Sequence, residues 1–288
     1  FLKHAFPKEC SLEGTRIVLD CSNGATYRVA PETFMELGAE VTTLFDKPNG
    51  KNINLQCGSQ HPEPLAKAVR KAKADVGFAF DADGDRVIAV DETGAVMTGD
   101  RLLAICAASM KKEGLLTNNL VVRTVMSNIG LGLAFESLGI DSVMAGVGDR
   151  YVIEEMQARG ASLGGEDSGH LIFLRHHTTG DGIITALQVA AAMKKEGKPL
   201  SELAKIMKVF PQMLINVNVK SRPEIETVPE IMTAIREAER RLGGQGRVLV
   251  RYSGTQNMCR VMVEGPTPEE TERCCREIAK VVDKTLNA

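Results

Sequence analysis

The stretch Phe78-Ala79-Phe80-Asp81-Ala82-Asp83-Gly84-Asp85-Arg86-Val87-Ile88-Ala89-Val90 sets three carboxylates at alternate positions between two short apolar runs. The runs read as strands and the acids as the turn that joins them, which places this part of the chain in a sheet. Three aspartates within five residues repel one another. A chain tolerates this where a hard divalent cation takes oxygen ligands or where water solvates all three. Gly84 lets the backbone turn tightly enough for the carboxylates to converge.

Taken alone, the loop admits a calcium loop, an aspartyl-phosphate phosphatase or a solvated acidic hairpin. Asp81, Asp83 and Asp85 take the first, third and fifth places of an EF-hand loop and Glu92 the twelfth. Against that reading, Arg86 stands where such a loop needs Gly, and the flanks are strands rather than helices. In a phosphatase Asp81 would be the nucleophile and Asp83 the general acid. Asp85 and Arg86 would then lack a role.

Working outward, residues 15–20 read as a buried strand and 21–25 as the turn after it. Val29, Phe34 and Leu37 mark one helix face that ends at Gly38, and residues 41–45 return as a strand, completing a β-α-β unit. A loop to His61-Pro62-Glu63-Pro64 precedes a helix over 65–74, whose following strand, 76–80, leads into the acidic turn. Gly99-Asp100 opens a second unit: a helix to about 113, a strand over 120–124, a helix after Ser127-Asn128, a strand over 142–145, and a helix opened by Gly148-Asp149-Arg150. A strand over 171–174 and a long helix over 181–195 follow. After Pro211 the order becomes β-α-β-β-α, and Thr267-Pro268-Glu269-Glu270 has the form of a capping box with Pro at the first helical position. The class expected is α/β: two successive α/β domains with mixed sheets sandwiched by helices, at residues 1–97 and 98–208. A smaller α+β domain is expected at 209–288.

The 288 residues are 43% hydrophobic and 25% charged with a net charge of -2, which lacks the basic excess that nucleic acid or an anionic membrane requires. The longest mostly apolar stretch, 182–193, is too short and interrupted to span a bilayer, and no signal peptide is read. Seven cysteines, odd in number and without a Cys-x-x-Cys pair, fit reduced thiols in cytoplasm. The chain opens at Phe1 in a Lys- and Pro-bearing segment that reads as a linker, so it is expected to be the later part of a longer protein.

Two further stretches carry chemistry. Gly164-Gly165-Glu166-Asp167-Ser168-Gly169-His170 offers carboxylates that accept hydrogen bonds from adjacent sugar hydroxyls, a Ser hydroxyl that donates or accepts, and glycines that admit a ligand close to the backbone. Taken alone the signal is weak, and a polar surface turn is the better reading of any such heptapeptide. His176 and His177 read as exposed. Arg251-Tyr252-Ser253-Gly254-Thr255-Gln256-Asn257-Met258-Cys259-Arg260 falls between two strands and has the composition of an anion-binding loop: a guanidinium fork, hydroxyls, and a glycine that frees backbone amides. The bland alternative is a hairpin with Arg251 and Arg260 solvated.

In this order and at these separations, the three segments resemble the α-D-phosphohexomutase superfamily, whose members move a phosphoryl group between C6 and C1 of a sugar phosphate. The resemblance implies that Asp81, Asp83 and Asp85 bind Mg²⁺ and that Arg86 is catalytic beside it. It implies that Glu166 and Ser168 hold the sugar and that Arg251, Ser253, Gly254, Thr255 and Arg260 hold a phosphate. Residues 23–27, 57–63 and 147–152 resemble the branch that acts on glucosamine phosphates more than the phosphomannomutases, and so imply a role in amino-sugar nucleotide and cell-wall precursor synthesis. Asp167 stands where that branch usually has Gln, and Gln256 and Asn257 depart from the phosphate loop's Glu-Pro. The family's phosphorylated serine lies in a first domain that has no counterpart among these motifs, since Ser59-Gln60-His61 sits in a different context. The chain is therefore expected to be the second to fourth domains, to need the missing N-terminal domain as partner, and to bind Mg²⁺ and sugar phosphate without turnover. A homodimer of the full-length protein fits the same resemblance, and no general base is identified. The rival from another class is a non-catalytic calcium- or phosphosugar-binding protein.

Overall fold

A computed structural model describes residues 1–253 and 256–287. They form two compact units, Phe1–Ser127 with Leu131–Met207, and Asn128–Gly130 with Lys208–Ala288.

The first unit holds α1 (Leu2–Ala5), β1 (Arg16–Asp20), α2 (Val29–Glu36), β2 (Glu40–Leu44), α3 (Glu63–Ala72), β3 (Val76–Phe80), β4 (Val87–Asp91) and β5 (Val96–Met97). It continues with α4 (Gly99–Lys112), β6 (Leu120–Thr124), the bulk of α5 (Ile129–Ser137), β7 (Asp141–Ala145), α6 (Asp149–Arg159), β8 (Leu163–Gly165), β9 (Leu171–Phe173), α7 (Gly182–Glu196) and α8 (Leu200–Leu203). One sheet has the order β2-β1-β3-β4-β5 and the other β7-β6-β8-β9. Both follow the same plan: three parallel strands, then an antiparallel return in β3–β4 and in β8–β9. The sheets are therefore mixed, as expected, with helices against them.

The fully buried strands are near-continuous apolar runs, as parallel strands covered on both faces must be. β3 and β4 are buried at every position. The Phe34 ring of α2 stacks on Phe78 of β3 with centroids 5.9 Å apart, and both rings are inaccessible. The apolar stretch 182–193 forms most of α7, a core helix packed against α4, β3 and β4. Its alanines at 186, 190, 191 and 192 let those neighbours approach closely. Among the described residues no helix is long and apolar enough to cross a membrane.

Two readings are corrected. The opening segment, read as a linker, contains α1, which packs on α7 and buries Ala5 and Phe6; one turn of helix is too short to show a period. His176, read as exposed, is partly buried, and burial with the nearby Arg175 lowers its pKa.

The second unit holds β10 (Gln212–Asn218), α9 (Pro229–Leu242), β11 (Arg247–Tyr252), β12 (Met258–Glu264) and α10 (Pro268–Leu286), with an antiparallel sheet in the order β10-β12-β11. Thr267 caps α10 by accepting from the Glu270 amide at 3.3 Å, but the Glu270 carboxylate pairs with Arg273, so only half of the capping box is seen. The buried Glu264 carboxylate accepts from Arg247 at 2.6 Å, from the Asn128 side chain at 3.1 Å and from the Ile129 amide at 3.0 Å. A buried charge this fully bonded is what the low dielectric demands. All seven cysteines are free thiols.

Phe78→Ala is expected to destabilise the first unit by about 3–5 kcal/mol, because the cavity cannot close against a sheet held on both sides. Chemical denaturation checks this, with a loss below about 1 kcal/mol counting against the packing described.

Candidate active site

The parallel strands of each sheet in the first unit end on one side, and ligands of α/β sheets gather beyond such carboxyl ends. The acidic turn follows the end of β3, and residues 21–25 follow the end of β1. These two segments grip each other. The Ala25 amide donates to the Ala82 carbonyl at 2.8 Å, and the Ser22 hydroxyl donates to the Asp81 carbonyl at 2.9 Å. Asp20, fully buried, accepts from the Ser22 amide at 2.8 Å and from the Gly58 amide at 2.9 Å. The Ser59 amide reaches the Phe80 carbonyl at 3.0 Å. Gly24 is required by this contact, since a Cβ there would stand 2.3 Å from the Ala82 oxygen.

Within the turn, Gly84 has φ 81°, as the tight turn requires. Asp81 accepts from the Gly84 amide at 3.1 Å and the Arg86 amide at 3.2 Å. Asp81, Asp83 and Asp85 each present a carboxylate oxygen within 4.8 Å of the others. Burial, with the Asp85 and Asp83 carboxylates beside it, pushes the Asp81 carboxyl up to about 7. Asp85 Oδ1 is buried with no hydrogen-bond partner among the described residues. The Arg86 guanidinium Nε lies 3.6 Å from Asp85 and 3.9 Å from Asp81. Crowded, partly dehydrated carboxylates with an unsatisfied oxygen fit a hard divalent cation, which takes oxygens at about 2.0–2.6 Å. The calcium-loop reading does not hold: the flanks are β3 and β4, and Glu92 bonds the Ser201 hydroxyl instead of facing the triad.

The sugar-loop candidate is the turn of the β8–β9 hairpin, closed by the Glu166 amide on the His170 carbonyl at 3.0 Å. Glu166 is half-buried and Ser168 exposed. The Glu166 carboxylate accepts from the Gly148 amide at 2.7 Å and from the Ser168 hydroxyl at 3.4 Å, so the Gly148 turn before α6 fixes its direction. Asp167 does something else: its carbonyl accepts from the Gly99 amide at 2.9 Å and its carboxylate from the Asp100 amide at 3.3 Å. It caps the N-terminus of α4, where the exposed amides favour an anion.

The structure brings these two turns together. The Val87 amide donates to the Gly169 carbonyl at 3.1 Å, and His170 Nδ1 lies 3.0 Å from Asp85 Oδ2. The Gly182 amide at the start of α7 donates to the Gly84 carbonyl at 2.8 Å. Sequence reading quotes His170, Ser22 and Gly58 within their stretches without giving them a role, and passes over the Asp20 carboxylate. A short buried stretch such as Asp20-Cys21-Ser22 shows its carboxylate but not the amides that fold back onto it.

In the second unit, Arg251 and Arg260 stand directly opposite each other across β11 and β12, so their side chains share one face of the sheet. Like charges so placed are unfavourable unless an anion or water lies between them. Ser253 is buried, its amide donates to the Met258 carbonyl at 2.9 Å, and its hydroxyl accepts from the Gln256 amide at 3.3 Å. Gly254 and Thr255 lie outside the described residues. Arg222, absent from the sequence reading, donates to the Gln256 carbonyl and lies 5.9 Å over the Tyr252 ring; nothing in its own neighbourhood along the chain announces this.

Gly24→Ala is expected to push the Ala82 carbonyl away and weaken any divalent-cation binding at the acidic turn about tenfold while leaving the far-ultraviolet spectrum intact; unchanged affinity in titration calorimetry would contradict the clamp. A second expectation concerns pH. Burial pushes Asp20 up to about 6 from the ordinary 3.8. A folded-state pKa above the unfolded value means stability that is full below about pH 4 and lost as pH rises through about 6, by up to about 3 kcal/mol. Asp20→Asn loses this pH dependence between 4 and 6, although it is itself less stable because an amide N–H then faces a backbone N–H. Denaturant midpoints across that range check the difference in slope.

Sequence profiles described as phosphoglucomutase/phosphomannomutase match the chain in three consecutive pieces: alpha/beta/alpha domain II at residues 2–94, alpha/beta/alpha domain III at 98–210, and the C-terminal domain at 214–281. The chain is 73% identical over 286 residues to the phosphoglucosamine mutase of Syntrophus aciditrophicus and 60% identical to that of Syntrophobacter fumaroxidans. Each alignment covers 99% of this chain and 64% of the relative, so the chain spans just under two thirds of the proteins it matches. Among solved structures, Aspergillus fumigatus N-acetylphosphoglucosamine mutase in complex with GlcNAc-6P and magnesium superposes with a TM-score of 0.81 at 20% identity, over 99% of this chain and 64% of that one. A phosphoglucomutase/phosphomannomutase family protein from Burkholderia thailandensis superposes with a TM-score of 0.80 at 22% identity, over 98% and 62%. These two show the shared fold. With one family's domains II, III and IV following one another along nearly its whole length, the chain belongs to the phosphoglucomutase/phosphomannomutase family, the α-D-phosphohexomutases.

Proposed function

We propose that this chain is the metal- and sugar-handling part of a cytoplasmic enzyme that interconverts glucosamine 6-phosphate and glucosamine 1-phosphate, through a phosphoserine and a bisphosphate intermediate. The observation that carries the reading is the direct bonding of the acidic turn to the Glu166–His170 turn within one unit. That contact sets a cation site beside a sugar site, as transfer of a phosphoryl group to a sugar hydroxyl requires. The high identity to phosphoglucosamine mutases supports the choice of an amino sugar.

Asp81, Asp83 and Asp85 would hold Mg²⁺, which when bound withdraws charge from phosphoryl oxygens. Arg86, tethered by Asp81 and Asp85, directs a guanidinium to the same region. Its bidentate donors match a phosphate, and its charge opposes the negative charge of the transferring group. Glu166 accepts hydrogen bonds from sugar hydroxyls, and Ser168 donates or accepts. Arg251, Arg260 and Ser253, with Gly254 and Thr255 by family resemblance, grip a phosphate. The proximity of Arg251 to Arg260 supports this role, because a dianion relieves their repulsion. The phosphorylated serine is assigned to the family's first domain.

The direct test is turnover of glucosamine, glucose and mannose 6-phosphates by the full-length protein, with the amino sugar expected to give the highest kcat/KM. Preference for mannose 6-phosphate would overturn the assignment. In calorimetry on this chain, Arg251→Ala is expected to weaken sugar-phosphate binding about 10–100-fold with Mg²⁺ affinity unchanged, and Asp83→Asn to weaken Mg²⁺ binding with sugar-phosphate affinity unchanged. Equal loss of both in either variant would show that the sites are not separate.

A further inference from the structure

Two Asn-Gly pairs stand in this sequence, Asn23-Gly24 and Asn49-Gly50. In such a pair the backbone nitrogen of the glycine can close a small ring on the asparagine Cγ, and the absence of a Cβ leaves that attack unhindered. The fold treats the two pairs oppositely. Asn23 is 8% exposed, its side-chain amide donates to the Asn52 carbonyl at 3.3 Å, and its side-chain oxygen accepts from the Lys47 amide at 3.2 Å. The Gly24 amide donates to the Cys21 carbonyl at 2.8 Å, so the nucleophile of this pair is already engaged. Asn49 and Gly50 are exposed, and the Gly50 amide has no acceptor among the described residues. Gly50 has φ 80°, with open space where a Cβ would stand. The Asn49 side-chain oxygen accepts two backbone amides, from Lys51 at 2.9 Å and from Asn52 at 3.0 Å. Those amides point at the atom on which negative charge gathers when the Gly50 nitrogen adds to Cγ, the arrangement of an oxyanion hole.

We propose that Asn49 is a site of spontaneous deamidation built into the loop after β2. The Gly50 nitrogen gives its proton to solvent base and forms a bond to Cγ, the Cγ–Nδ2 bond breaks, and ammonia leaves with a proton taken from water. Water then opens the succinimide at either carbonyl, giving aspartate or isoaspartate with no change of oxidation state. Aspartate keeps an acceptor for the Lys51 and Asn52 amides. Isoaspartate adds a methylene to the main chain and separates Asn49 from Asn52, whose side-chain oxygen accepts the Asn49 amide at 2.9 Å. The Asn52 carbonyl is bonded to Asn23 at 3.3 Å and the Asn54 amide to the Ser22 carbonyl at 2.9 Å. The isoaspartyl form therefore loosens the loop where it meets the turn after β1, the segment that grips the acidic turn.

The test ages the wild-type chain at mildly alkaline pH, folded and in denaturant, and follows the mass gain of about 1 Da in the peptide that carries each pair. In denaturant the two pairs react at rates of the same order. In the folded chain Asn49 is expected to react at least about tenfold faster than Asn23, and no slower than in denaturant. Slower reaction of Asn49 in the folded chain would show that its two hydrogen bonds protect it, and equal folded rates at both pairs would show that the fold does not discriminate; either result overturns the proposal. Asn49→Asp is expected to abolish the fast release of ammonia, and its persistence in that variant would place the reaction elsewhere. Hydrogen exchange at the Asn52 and Asn54 amides is expected to quicken in the isoaspartyl form and to stay unchanged in Asn49→Asp. Exchange unaltered in the isoaspartyl form would overturn the loosening of the loop.

Discussion

Crowding three carboxylates into five residues costs free energy until something compensates their repulsion, and the surroundings of the β3–β4 turn are arranged as that compensation. Asp81 takes two amides of its own turn, Arg86 stands within 4 Å of two of the acids, and the N-terminus of α7 donates to the Gly84 carbonyl. Asp20 anchors the clamp from beneath without joining the triad. The compensation is incomplete, because burial and the neighbouring carboxylates push the Asp81 carboxyl up to about 7 and Asp85 Oδ1 has no hydrogen-bond partner among the described residues. A hard divalent cation fits such a cluster of oxygens.

The motif-bearing turns share a mechanical logic. Each is the turn between two antiparallel strands, β3–β4, β8–β9 and β11–β12. The strands are held by ladder bonds and buried faces, so only the few residues of each turn are free to vary in chemistry. In the first unit, the turns also lie past the carboxyl ends of parallel strands, where helix N-termini point. Asp167 uses one of these on α4 and the Gly84 carbonyl another on α7. Positive helix poles at that end suit an assembly of carboxylates and phosphates.

Asp167 has a structural role of its own in the β8–β9 turn. Its backbone and side chain both serve the start of α4, while the Glu166 carboxylate accepts from the Gly148 amide and the Ser168 hydroxyl. Neighbouring positions of one short turn thus bond to different elements of the fold.

Local patterning determined much of this protein. Apolar runs and alternation marked nearly every strand, the 3.6-residue stripes marked the long helices, and the acidic turn, the Glu166–His170 turn and the Arg251–Arg260 segment stood out by composition. These are short-range signals, carried by propensity and by side chains within a few positions of each other. What tertiary structure decided was pairing across distance. Asp20 reaches Gly58, Ser22 reaches Asp81, and His170 stands between Asp85 and Gly180. No periodicity encodes which amide a buried carboxylate or a ring nitrogen will accept. Those are settled when separate elements pack and each buried polar atom must find the partner that the fold brings to it.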